Sequence, residues 1–107
     1  MKMPLVFDEK GDVSIHWSLY DAEQYFEVID IKNCEYVGYD ATGRLLLLKA
    51  RNFFEVEISL AEKAPLHTKE LIIALRRFID ARKKIAGIDN LSIVELFRLI
   101  EVNNLRN

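Results

Sequence analysis

The chain reads as a small α+β domain: an antiparallel sheet of about four strands, with one N-terminal helix and two C-terminal helices packed on one face. Three observations predict this. Apolar residues alternate with period two around Leu5–Trp17 and again over Phe54–Leu60. The stretches after Ser18, Thr68 and Ser92 switch to helical spacing, each behind a capping residue. A turn, Asp40-Ala41-Thr42-Gly43, joins Glu35–Tyr39 to the leucine run Arg44–Leu48 as a hairpin.

Each element follows from its local chemistry. Leu5, Phe7, Val13, Ile15 and Trp17 alternate about the turn Asp8-Glu9-Lys10-Gly11-Asp12, which leaves His16 on the solvent face. Ser18 caps a helix with Asp21 at its third position. At 100° per residue Leu19, Ala22, Tyr25, Phe26 and Ile29 share the core side, and Tyr20, Glu23, Gln24 and Glu27 lie opposite. Four successive leucines, Leu45–Leu48, place two side chains on each sheet face. Their strand is therefore expected to be central, with one face partly open to a partner or a second copy. Lys49–Asn52 forms the next turn, and Phe54, Val56, Ile58 and Leu60 point inward from the last strand. Ala64-Pro65 ends the sheet. A helix from Thr68 to about Ala86 carries the stripe Leu71, Ile72, Leu75, Phe78, Ile79 and Ile85 and stops at Gly87. Ser92 and Glu95 make a capping box for the last helix, and Asn103 onward is a frayed end.

At 107 residues, half of them hydrophobic and 30% charged, the chain has the size and balance of one domain, residues 1–107. Cys34 is the only cysteine, so no internal disulfide forms. With no apolar run of signal-peptide or membrane-spanning length, a cytoplasmic, non-membrane protein is expected. Charge is polarised: residues 1–40 carry nine acids against three lysines, and residues 67–107 carry eight bases against five acids, within a net charge of -2. One acidic and one basic side are expected.

No constellation for catalysis emerges. His16 and His67 lack a second ligand at metal spacing, Cys34 reads as a small apolar residue, and the four glycines form no phosphate loop. The chain is read as a non-enzyme without metal or cofactor. The helix over 69–85, with Arg76, Arg77, Arg82, Lys83 and Lys84, supports an alternative nucleic-acid-binding or regulatory module. The whole chain's negative net charge and the lack of aromatics interleaved with those bases argue against this.

The pattern Gly11-Asp12, Ser18, Asp21-Ala22-Glu23, Tyr25, Glu27, Ile29-Asp30, Glu35-Tyr36-Val37, Tyr39-Asp40 and Gly43-Arg44-Leu45-Leu46 resembles immunity proteins of contact-dependent growth inhibition and related polymorphic toxin systems. It covers residues 11–48. Val28 stands where that family often has proline. The resemblance implies a bacterial inhibitor that binds a cognate toxin domain, such as a nuclease, and occludes its active site. Asp12, Glu23, Gln24 and Glu27 around an exposed Tyr20 are the expected toxin-binding residues, the carboxylates steering a cationic partner and the aromatic anchoring it.

Overall fold

In the computed structural model, residues 1–33, 35–61 and 65–107 are described. Cys34 and the Ala64 side of the expected sheet-ending break lie outside them. The strands are β1 (Leu5–Glu9), β2 (Asp12–His16), β3 (Val37–Tyr39), β4 (Leu46–Ala50) and β5 (Val56–Leu60). The α-helices are α1 (Leu19–Tyr25), α2 (Val28–Lys32), α3 (Thr68–Asp80) and α4 (Ile93–Val102), with one 3-10 turn at Ile88–Asn90.

The fold is α+β, but the sheet is split. One part has the order β2-β1-β3 and the other is the pair β4-β5, all antiparallel. Among the described residues, the bridge Tyr39 to Leu45 connects them. The Asp40–Gly43 turn forms as expected, closed by Asp40 N–H to Arg44 C=O at 2.9 Å with Gly43 at φ 91°. Beyond it the hairpin opens, because β3 follows β1 while β4 follows β5.

The helices cover both faces, not one. Val6, Val13 and Ile15 pack with Leu71, Leu75, Phe78 and Ile79 of α3 and Leu96 and Ile100 of α4. Their neighbours Leu5 and Phe7 point the other way, onto Ala22 and Phe26, with Leu46, Val56 and Ile58. Alternation along β1 therefore feeds two cores. It also buries His16, which had been expected to face solvent, while Trp17 is left half exposed.

The N-terminal helix is two helices. Phe26 takes an extended conformation that ends α1, and Glu27 caps α2, its N–H donating to the Asp30 carboxylate at 3.0 Å. The break carries Phe26 inward, against Phe7 and Tyr36 at 4.6 Å each between ring centroids. It leaves Tyr25 and Ile29, both assigned to the core stripe from spacing, on the surface. Gly38 makes the inward stack possible: it pairs across β1 with Phe7, and a Cβ there would lie 2.6 Å from Phe7 Cδ1.

Three further departures have local causes. Helix α3 ends at Asp80 rather than Ala86, and the left-handed Gly87 leads into the 3-10 turn. The β4–β5 turn extends to Glu55, because Asn52 Oδ1 accepts the N–H groups of Phe54 and Glu55 at 2.8 and 2.9 Å. Phe54 is thereby turned out of the strand. The C-terminus is docked rather than frayed: the Asn107 amide accepts from Ile15 N–H at 2.8 Å and donates to Ile15 C=O at 2.7 Å, pairing the outer edge of β2 as a strand would. The caps predicted at Ser18 and Ser92 both form, with Ser18 Oγ accepting from Asp21 N–H at 3.0 Å and the Ser92–Glu95 box closed in both directions.

Candidate protein-binding surface

Helix α1 lies between β2 and β5 and packs against both. Its inward positions are Ala22 and, just past its end, Phe26. Tyr20 and Gln24, four residues apart, therefore share the opposite side and project into solvent together. Tyr20 is 70% exposed, Tyr25 51% and Trp17 48%. Trp17 lies on the other face of the sheet, lining a cleft with Ile15, Phe78 and Ile100; at 150–250 Å² of surface per aromatic side chain, Tyr20 and Tyr25 present roughly 200–300 Å².

Tyr25 has a rigid base. The His16 ring lies 4.6 Å from Tyr25 and 5.8 Å from Phe7, and its Nε2 is 3.0 Å from Ser14 Oγ. Burial lowers the His16 pKa below the usual 6.5, only partly opposed by the charge of Asp21. The ring is therefore neutral at physiological pH and behaves as part of the aromatic stack. A side chain held in this way loses little further freedom on binding.

The structure brings only two of the five expected contact residues together. Tyr20 and Gln24 are neighbours on α1. Glu23 turns inward instead, its Oε2 accepting the Ile58 N–H at 2.8 Å and so covering the outer edge of β5. Asp12 pairs with Glu9 at the hairpin end of β2, about 13 Å along the strand from His16 and α1. Glu27 is exposed at the start of α2. The exposed α1 residues missed from sequence are Asp21 and Tyr25. Tyr25 was visible as a residue type, but its exposure depended on where the helix broke.

Charge is less segregated than the sequence suggests. Asp8 Oδ2 lies 3.2 Å from Arg77 Nη1. Asp40, 1% exposed, accepts from Thr42 N–H at 2.9 Å, Thr42 Oγ1 at 2.6 Å, Arg44 N–H at 3.1 Å and Lys2 N–H at 3.1 Å. Burial pushes the Asp40 carboxyl up, but these bonds outweigh it and hold its pKa below the usual 3.8. On the basic side Arg76 donates to the Asp89 carbonyl, Arg82 to the carbonyls of Phe78 and Arg106, and Lys83 to Asn103 Oδ1. The Arg82 guanidinium also lies over the Phe78 ring at 3.6 Å. Four of the bases proposed to follow a phosphate backbone, counting Arg77, thus have partners within the chain.

Among the described residues, no group of three His, Cys, Asp or Glu side chains could hold a metal ion, and no helix is long and apolar enough to cross a membrane. A second apolar patch stands apart at the β4–β5 tip, where Phe53 and Phe54 are 85% and 90% exposed. Period-two reading assigned Phe54 inward. The signal against it was the pair itself, since adjacent strand residues cannot both face the core, directly after an asparagine able to close an Asx turn. Comparison with protein-family models, curated proteins and solved structures finds no match.

Proposed function

We propose that this chain is an inhibitor of the immunity-protein type, which binds a cognate toxin domain through the outer side of α1 and occludes that domain's active site. The observation that carries the reading is exposed Tyr20 beside Gln24 and Asp21 on the outer side of α1, with exposed Tyr25 at the helix end stacked on the buried His16 ring. Exposed tyrosine is among the residues that most often dominate binding energy. These residues supply the centre of an interface and not its whole area, since a standard complex buries about 800 Å² on each partner. The rim charges Asp21 and Glu27 favour a cationic partner and act mainly on the rate of encounter.

Co-expression with the toxin domain encoded immediately upstream tests the reading. The wild-type chain restores growth. Tyr20→Ala with Gln24→Ala, at two exposed positions, weakens binding by about 30-fold, equivalent to about 2 kcal/mol. Failure of the wild-type chain to protect overturns the function, and full protection by the folded double variant overturns the assigned surface.

A further inference from the structure

The outer edges of the split sheet are covered unequally. Asn107 pairs the edge of β2 at Ile15, and Glu23 caps the edge of β5 at Ile58. The outer edge of β4 is different. Arg51 N–H donates to Glu55 C=O, and Ala61 N–H to Leu45 C=O. With the register Leu47 to Ser59 and Lys49 to Glu57, these bonds mark the odd-numbered residues of β4 as the ones bonded to β5. The peptide groups of Leu48 and Ala50 therefore point away from β5. Among the described residues, no bond outside the strand ladders reaches them.

Two features flank this open edge. At one end β3 and β4 diverge and leave a cleft of about 200 Å³, lined by Ile31, Tyr36, Leu46, Leu47 and Leu48, with Asp30 and Glu35 also in its wall. At the other end stands the Phe53–Phe54 tip, held by the Asn52 turn and by Arg51, 3.5 Å from Glu55 and 3.7 Å from Glu57. The cleft is large enough for a phenyl ring, since an apolar cavity of about 150 Å³ admits benzene. The tip lies beyond the end of β4 and does not line its own cleft.

We propose that the chain forms a two-fold dimer in which the β4 edges pair antiparallel and each Phe53–Phe54 tip fills the cleft of the other copy. One operation satisfies all three features. With the axis near Lys49, Leu48 and Ala50 exchange backbone N–H···O=C hydrogen bonds between copies. Arg51 then lies opposite Leu47 of the second copy, beside the acidic wall of Asp30 and Glu35, and the tip lies against the diverging end. Four phenylalanine rings contribute roughly 600–900 Å², about half of a standard interface of about 1,600 Å². The paired edges and the cleft walls supply the rest. The contact is isologous and closes at two copies. It leaves the outer side of α1 free and does not depend on the toxin reading.

The test is sedimentation velocity of the full chain across micromolar concentrations, with Phe53→Asp and Phe54→Asp together as the variant. Twice the monomer mass is expected for wild type, with dimerisation at least about tenfold weaker in the variant. Circular dichroism checks that the variant, changed only at exposed positions, is folded. In a Cys34→Ser background, Leu47→Cys with Arg51→Cys is expected to form a disulfide only between copies, because opposed antiparallel residues lie about 5 Å apart. The same two positions in one copy are about 13 Å apart. A wild-type chain that stays monomeric overturns the proposal, as does a dimer unaffected by the aspartates. A monomer whose tip instead binds a different protein also overturns it.

Discussion

Replacing Asp40 with asparagine is expected to cost this fold about 2–4 kcal/mol. The carboxylate is buried and serves four donors: the N–H groups of Lys2, Thr42 and Arg44 and the Thr42 hydroxyl. A hydrogen bond to a charged group contributes about 1.5–3 kcal/mol net. An amide retains one accepting oxygen but turns an NH₂ towards the remaining donors, so one or two of the four bonds are lost. The loss is felt widely, because this side chain ties the N-terminus to the turn from which the two parts of the sheet diverge. Urea unfolding measures it as a lower midpoint with unchanged slope. The pH dependence supplies a second arm. With its folded pKa below the unfolded value near 3.8, Asp40 contributes stability that is fully present above that value and is lost as pH falls through the folded pKa. The asparagine variant should lose this part of the acid dependence. A variant within about 0.5 kcal/mol of wild type, a typical surface-substitution effect, with an unchanged acid profile would refute the reasoning.

Gly38→Ala should destabilise by about 1–3 kcal/mol, because the new Cβ collides with the Phe7 ring, which is fully buried and stacked on Phe26; thermal unfolding and the near-ultraviolet signal report it. His16 is buried and neutral with a lowered pKa, so as pH falls below 6.5 the unfolded chain binds a proton that the folded chain does not. Stability should therefore decline with falling pH in the window between 6.5 and the lowered value, and His16→Phe should flatten that slope. Glu23→Ala should cost about 1–3 kcal/mol by leaving the buried side of the Ile58 N–H without its acceptor. It should leave partner affinity within about twofold, since only rim-type contact is lost; isothermal titration of the folded variant separates the two effects.

What was legible in the sequence was local. Ser18, Ser92 with Glu95, and the Asp40–Gly43 turn act on residues within four positions, and their geometry follows from residue type. The alternation along β1 and β2 was also visible, but period two cannot say that both faces are covered. That depended on Phe26 entering the core opposite α3, which broke one expected helix into two and exposed Tyr25. Long-range polar contacts left no trace in spacing. Glu23 reaches Ile58 across 35 positions and Asn107 reaches Ile15 across 92, so one expected contact residue became an edge cap and an expected frayed end became part of the sheet. Tyr20 and Gln24 were legible because exposure four residues apart on a capped helix needs no tertiary information.

The most direct test of the proposed binding role is amide hydrogen exchange of the folded chain with and without its captured protein partner. Binding through the outer side of α1 predicts added protection concentrated over residues 17–25, with α3 and α4 unchanged. Protection confined to α3 or α4, with residues 17–25 exchanging as in the free chain, would contradict it.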